Sequence, residues 1–213
     1  MIRVMIVDDH PLVRKGLIAV IQEASDCAVV GEASNGDEAL IKARSGDPDI
    51  VILDTGLPGK GGLEVLKQLQ IERPNVHVLI LSNYPESQYA IRCLQSGARG
   101  YLMKTSAPNE LMKAIRKLMQ GGRFISSKLA EILADDVGHD KDKAPHERLS
   151  DREFQVLCLL GQGKTTGQVA LIFSIGVSTV NKYRAQVLRK MRMRTTAQLI
   201  RYVLDNNLME SAE

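Results

Sequence analysis

Asp8 and Asp9, Asp54, Ser82 and Lys104 each follow a short apolar run in the first half of this 213-residue chain. Gathered at one place, three carboxylates repel one another and cannot all stay ionised without a cation. Carboxylate oxygens suit Mg2+, which takes a few protein oxygens and keeps waters and phosphate oxygens in its remaining positions. Mg2+ with the Lys104 ammonium can stabilise a transferring phosphoryl group, one carboxylate being the nucleophile. Such transfer rests mostly on positioning and charge, so these few groups suffice. His10, beside the acidic pair, is either a further metal ligand or a residue at a helix start.

A different chemistry is suggested near the other end. Residues 178–201 hold seven basic side chains, Lys182, Arg184, Arg189, Lys190, Arg192, Arg194 and Arg201, and no acidic one. This is the footprint of a nucleic-acid contact or of a solvated helix face. Residues 149–213 carry nine Lys/Arg against five Asp/Glu, whereas residues 1–148 carry 19 against 20. Charge segregated in this way suggests two domains with different partners.

The elements that must position these groups are legible as patterns. Residues 2–7, 28–33, 50–53, 76–81 and 100–102 read as strands; 11–21, 36–43, 62–70, 86–95 and 108–119 read as helices. Five β-α repeats of this spacing require parallel strands with helices on both faces, a doubly wound five-stranded α/β sheet. Apolar runs such as Val51-Ile52-Leu53 fit a sheet buried on both sides. In such sheets sites form beyond the carboxyl ends of the strands, where the five polar residues lie.

Residues 126–134 suit a short helix. Residues 135–147 are charged, contain Gly and Pro, and read as an exposed linker, with His139 and His146 as solvated linker residues. From Leu149 onward every strong signal is helical, giving a smaller all-α domain. Ser150 and Glu153 form a capping box. Gly161-Gln162-Gly163 ends that helix, a short helix lies around 167–173, a turn follows at 174–176, and a long helix runs from 177 to 191. Thr195 or Thr196 caps a fourth helix ending near Asn206. Two helices joined by a tight Gly-containing turn, the second basic, fit a helix-turn-helix.

Composition narrows the function further. With 44% hydrophobic and 25% charged residues the chain can bury a core. No apolar run reaches the roughly 18 residues of a membrane span. The N-terminus turns acidic at Asp8, too early for a secretory segment. Cys27, Cys93 and Cys158 are odd in number, far apart and without a CxxC pair, so they read as reduced core thiols of a cytoplasmic protein. Absent Trp and 4% aromatic residues argue against a stacking platform for single-stranded nucleic acid.

Residues 1–122 resemble the receiver of a two-component response regulator of the LuxR/NarL type. The match lies in the Asp8-Asp9 pair, Asp54 followed by Leu57-Pro58-Gly59, Ser82, Tyr101 and Lys104. The resemblance implies a CheY-like fold in which Asp54 accepts a phosphoryl group from a sensor histidine kinase. It implies that Asp8 and Asp9 hold Mg2+ with Asp54 and the backbone carbonyl of Gly56. Lys104 would then pair with the phosphoryl oxygen, Ser82 would move to hydrogen-bond it, and Tyr101 would change rotamer as the relay. Leu57 replaces a frequent Met at similar volume. Asn83 stands where small residues are common, beside the phosphorylation site, and Gly56 and Tyr84 stand where side chains often tune the aspartyl-phosphate lifetime. No proline directly follows Lys104.

Residues 149–208 resemble the LuxR-type helix-turn-helix, through Leu149-Ser150-Asp151-Arg152-Glu153, Gly163-Lys164, Val169-Ala170, Ser178-Thr179-Val180, Tyr183-Arg184 and Lys190-Met191. By that resemblance Asn181, Lys182 and Ala185 occupy base-reading positions, and Lys164, Thr179, Arg184 and Arg189 are phosphate contacts. Asn181 suits adenine; Lys182 suits guanine or a phosphate. Val180, Leu188, Ile200 and Leu204 are core or dimer-interface positions. The swapped Asn181-Lys182 order and the short Ala185 suggest an altered operator preference. Gly167 either costs helix stability or makes a close packing contact.

The resemblance implies a domain order of receiver (1–122), linker with a short helix (123–148) and DNA-binding domain (149–213). The implied function is a phosphorylation-switched transcriptional regulator rather than an enzyme. It would bind double-stranded DNA as a homodimer, with a histidine kinase and RNA polymerase as protein partners and no membrane partner. Phosphorylation would alter dimerisation and uncover the recognition helix. The competing readings are a protein-interaction regulator without sequence-specific DNA binding and a DNA binder independent of phosphorylation. A phosphatase using the same acidic pocket lacks its expected D-x-D nucleophile motif, and the basic C-terminal region has no catalytic cluster.

Overall fold

The computed structural model describes residues 1–84, 86–106, 108–136, 144–206 and 208. Residues 137–143, the middle of the expected linker, and His139 with them, lie outside the described residues. The chain divides into two compact units, Met1–Asp135 and Asp136–Glu213.

In the first unit β1 (Ile2–Val7), β2 (Cys27–Ala33), β3 (Ile50–Asp54), β4 (His77–Ser82) and β5 (Gly100–Met103) form one parallel sheet in the order β2-β1-β3-β4-β5. Helices α1 (Pro11–Gln22), α2 (Gly36–Gly46), α3 (Gly62–Glu72), α4 (Glu86–Gln95) and α5 (Pro108–Met119) connect and flank the strands. β3 is central, and all five of its residues are buried. Ile50 and Ile52 of β3 pack with Val4, Ile6, Leu79 and the buried stripe Leu111, Ala114, Ile115 and Leu118 of α5. That stripe has the i, i+3, i+4, i+7 spacing of a helix with one apolar face.

Local chemistry starts the helices where the patterns place them. The Asn35 side chain accepts the Glu38 N–H at 3.0 Å, and Glu38 accepts the Ser34 N–H at 2.7 Å. These bonds satisfy N–H groups near the start of α2 that have no partner within the helix. Lys42 adds an i, i+4 ion pair, and its bond together with those from Ser34 holds the Glu38 carboxyl at a pKa of about 2.

Register delivers the site. Val7 lies opposite Leu53, so Asp8 and Asp54 leave the sheet side by side. Asp54 lies opposite Leu81, and Ser82 opposite Met103, which brings Ser82 and Lys104 to the same end. Gly62 then allows the loop after β3 to close. A Cβ there would run into the Asp54 carbonyl oxygen and come within 2.7 Å of the Thr55 Cα.

The chain after α5 stays with the first unit. Phe124 makes a parallel bridge with Gly100, and its carbonyl accepts the Tyr101 N–H at 3.1 Å. Ser126 donates its hydroxyl to Glu86 of α4 at 2.6 Å, while its Oγ accepts the Leu129 N–H at 3.0 Å. Ser126 thereby caps α6 (Ser127–Asp136), the short helix expected over 126–134.

The second unit holds α7 (Asp151–Gly161), α8 (Thr166–Phe173), α9 (Val177–Lys190) and α10 (Thr196–Asp205). Capping boxes at Ser150–Glu153, Thr165–Gln168 and Thr195–Gln198 start three of these helices. α7 is enclosed nearly all round. Its Arg152 guanidinium lies 3.9 Å from the centre of the Phe173 ring, joining α7 to α8 by a cation–π contact.

One expectation is corrected here, and one open alternative is decided. His146 is no solvated linker residue. It lies in a 3-10 turn, Pro145–Arg148, and its Nδ1 is 2.8 Å from the Tyr202 hydroxyl on α10. The turn is fixed by a partner 56 residues away, which local composition does not reveal. Gly167 makes no close packing contact either. The nearest atom to an added Cβ is Thr165 Oγ1 at 3.8 Å, an ordinary contact distance. Cys27, Cys93 and Cys158 are buried and form no disulfide. Among the described residues no helix is long and apolar enough to cross a membrane.

Candidate functional site

The carboxyl ends of β1, β3, β4 and β5 meet in an acidic pocket. Asp8 and Asp54 are buried, Asp9 is half-buried, and ligand atoms of Asp8, Asp9, His10 and Asp54 lie within 4.8 Å of one another. Lys104 Nζ, on a side chain 8% exposed, lies 2.8 Å from both Asp8 Oδ2 and Asp54 Oδ2. The Gly56 N–H donates to Asp54 Oδ1 at 3.0 Å. Asp54 is thus held from both sides, by a backbone donor and by an ammonium.

Burial is the largest influence on the Asp54 carboxyl and raises its pKa; Lys104 pulls it back, and the Asp8 charge raises it again. Burial works against the Lys104 ammonium, but the Asp54 and Asp8 carboxylates more than offset it and leave its pKa raised. One ammonium cannot neutralise three carboxylates. Asp8 Oδ2 shares the Lys104 ammonium with Asp54, and Asp9 Oδ1 has His10 Nδ1 at 2.8 Å. A compact set of oxygen donors with surplus negative charge fits a hard divalent cation.

His10 proves to be both a helix-start residue and a neighbour of the acidic cluster. It is the N-cap of α1 but makes no side-chain cap bond. Its N–H donates to Asp8 Oδ1 at 2.8 Å.

Ser82 and Tyr101 lie deeper. The Ser82 hydroxyl is fully buried, 2.7 Å from Thr55 Oγ1, and accepts the Tyr84 N–H at 3.1 Å. Tyr101 is turned inward, and its hydroxyl donates to the Tyr84 carbonyl at 2.6 Å. Burial pushes the Tyr101 phenol well above its ordinary pKa, so it stays protonated as a donor. Leu57 is fully buried, Asn83 is exposed, and the Tyr84 ring lies 4.9 Å from that of Tyr89. Thr55 is the pocket residue that sequence reasoning missed; its partner Ser82 is 27 residues distant.

On the second unit, α9 presents one face to solvent. Ser178, Asn181, Lys182, Ala185, Gln186 and Arg189 are exposed, while Val180 and Val187 are buried beneath. The exposed positions follow the i, i+3, i+4, i+7 rhythm of one helix side. Gln186 belongs to this face and was not anticipated, although its spacing from Lys182 points to it. Lys164 is exposed and Thr179 half-buried.

Three cations of the basic run have partners within their own unit, Arg201 pairing with Asp205 at 3.6 Å. Arg184 donates from Nε to Thr196 Oγ1 at 2.7 Å, which anchors its stem to the start of α10. Lys190 Nζ lies 2.6 Å from Glu153 Oε2, the same oxygen that accepts the Ser150 N–H. Burial raises the Glu153 pKa, but Lys190 and Ser150 outweigh it and leave the carboxyl below its usual range. The α7 cap thereby holds the end of α9, and the basic face is smaller than the residue count suggests.

The family model described as the response regulator receiver domain matches residues 4–116, and that of bacterial regulatory proteins, luxR family, matches residues 147–203. Response regulator UvrY of Escherichia coli strain K12 is 32% identical over 209 residues, covering 98% of this chain and 96% of its own. Transcriptional regulatory protein LiaR of Bacillus subtilis strain 168 is 33% identical over 210 residues, covering 98% of this chain and 100% of its own. A crystal structure of a LuxR-family two-component response regulator from Aurantimonas sp. SI85-9A1 is 36% identical with a TM-score of 0.60, covering 64% of this chain and 98% of its own. Acidic pocket, sheet order, helical unit and full-length likeness converge: this chain belongs to the two-component response regulators that join a receiver domain to a LuxR-family DNA-binding domain.

Proposed function

We propose that Asp54 accepts a phosphoryl group from a sensor histidine kinase and that this switches the binding of double-stranded DNA by α9. The observation that carries the reading is the setting of Asp54: buried at the end of β3, with Lys104 Nζ 2.8 Å from Oδ2 and a backbone donor on Oδ1. A carboxylate oxygen of Asp54 attacks phosphorus. The new O–P bond forms as the P–N bond to the kinase imidazole breaks, and the imidazole leaves with the bonding electron pair. The Lys104 ammonium neutralises charge on the transferred group, and Ser82 donates its hydroxyl to a phosphoryl oxygen. Tyr101 follows by leaving its bond to the Tyr84 carbonyl. Asp8, Asp9, Asp54 and the Gly56 carbonyl would hold Mg2+, which supplies positive charge against the phosphoryl oxygens.

The receiver function lies in residues 1–122 and DNA binding in residues 149–213, with residues 123–148 between them. In the DNA-binding part, Asn181, Lys182 and Ala185 face base edges. Lys164, Thr179, Arg184 and Arg189 contact phosphates, Arg184 doing so with the guanidinium nitrogens beyond its anchored Nε. Two copies bind a repeated half-site. RNA polymerase is the downstream partner.

The test is enrichment of genomic DNA fragments by the full chain, with and without Mg2+ and beryllofluoride as a phosphoryl mimic. A repeated half-site should be enriched, more strongly with the mimic for the native chain and equally with and without it for Asp54→Asn. Equal enrichment by the native chain in both conditions would overturn the gating by Asp54. No enrichment at all would overturn the DNA reading in favour of a protein partner.

A further inference from the structure

We infer that Arg192, the residue that closes α9, is a contact to a DNA phosphate, kept as arginine at a backbone position that favours glycine. The inference rests on the reading of α9 as the DNA-binding helix and extends its footprint past the end of that helix.

The basic run leaves two cations, Arg192 and Arg194, without a duty. Arg184, Lys190 and Arg201 have partners inside their unit, and Lys182 and Arg189 belong to the exposed face of α9. Arg192 and Arg194 are exposed, and among the described residues neither guanidinium has a hydrogen bond or an ion pair. Arg192 stands one turn beyond Arg189.

Its backbone sets Arg192 apart from Arg194. The Met193 N–H donates to the Leu188 carbonyl at 2.8 Å, and the Arg192 N–H to the Arg189 carbonyl at 3.2 Å. These two bonds close α9 by satisfying carbonyls that have no partner within the helix. The closure holds Arg192 at a φ of 56°, in the left-handed region, where a Cβ is penalised and glycine is the usual occupant. Asp47, another described residue in that region, binds Arg3 and Arg73 with its carboxylate. No internal bond of that kind accounts for Arg192. A long cation held in a strained conformation, with nothing in its own unit to bind, points to an anion from outside the chain. The DNA backbone presents one negative charge per about 1.7 Å of helix axis, and a guanidinium can hold a phosphate by two parallel bonds. Where α9 leaves the groove it passes that backbone, and its closing turn carries Arg189 and Arg192.

Arg192→Gly removes the charge and relieves the backbone, so stability and binding should move in opposite directions. By calorimetry the full-length variant should melt a few degrees higher than the native chain. Binding is read on a duplex bearing the half-site that the native chain enriches, with Mg2+ and beryllofluoride present. Arg192→Gly should bind it about five- to tenfold more weakly at about 0.1 M salt. The slope of log affinity against log salt concentration should be shallower by about 0.9, the share of one phosphate. The enriched half-site should stay the same, because a phosphate contact carries no base information. Arg192→Lys keeps the charge and should bind within about threefold of the native chain, with the native slope. If Arg192→Gly fails to fold, Arg192→Asn, uncharged and tolerant of the same φ, takes its place with the same weakening expected. Native affinity and slope in the uncharged variant overturn the contact. A changed half-site overturns phosphate as its partner, and a lower melting temperature for Arg192→Gly overturns the account of strain. No enriched half-site for the native chain overturns the DNA reading, and this inference with it.

Discussion

At the scale of single residues, Asp54 shows how a functional group is kept at the expense of stability. Its pKa is raised chiefly by burial, beside the charge of Asp8. For a carboxyl whose folded pKa lies above its unfolded value, the folded state is favoured by protonation. That advantage is full below the unfolded pKa and lost as pH rises through the folded pKa. Ionised Asp54 therefore weakens the first unit at neutral pH. Asp54→Asn should melt a few degrees higher than the native chain at pH 7 without Mg2+, by calorimetry. The gap should close as pH falls through the folded pKa of Asp54, and a gap independent of pH would contradict this account. Identities at this scale were legible because Asp8, Asp9, Asp54, Ser82 and Lys104 end runs of buried strand residues. Pairings were less so. Thr55 with Ser82 and Glu153 with Lys190 join residues 27 and 37 positions apart, and nothing local marks either bond.

At the scale of elements, strands and helices stand where alternating apolar runs put them, with differences at their ends. β2 begins at Cys27 rather than 28 because Cys27 lies opposite Ile2 in the sheet. α2 runs on to Gly46 through polar residues outside the apolar rhythm; Arg44 there is held by a two-pronged ion pair with Glu72 of α3. α8 is the element whose sequence disagrees most with its state. Gly167 sits in its first turn with φ outside the left-handed region and only Thr165 Oγ1 near a would-be Cβ. The Thr165–Gln168 capping box offsets part of that weakness by satisfying N–H groups at the helix start. Gly167→Ala should stabilise the second unit by about 0.5–1 kcal/mol, seen as a higher urea midpoint with an unchanged slope. A lower midpoint would mean that the glycine serves a contact or motion outside the folded unit described.

At the scale of the whole molecule, the uneven distribution of charge suggested two domains, and the chain divides into two compact units. The end of the first unit was harder to see. Residues 123–126 carry no strong strand pattern, yet Phe124 bridges to Gly100 and Ser126 bonds Glu86. Their attachment depends on partners in β5 and α4 rather than on their own composition. β5 is the last strand in the sheet order, so Phe124 covers part of an edge that would otherwise be bare. A fragment ending at residue 122 would expose the Tyr101 N–H to water and offer its rim to other chains for strand pairing. By hydrogen exchange, the Tyr101 amide should be at least about tenfold less protected in that fragment than in one ending at residue 136. The few residues after α5 thus act as a selvedge for the sheet, and trimming them would unravel it beside the tyrosine on which the relay turns.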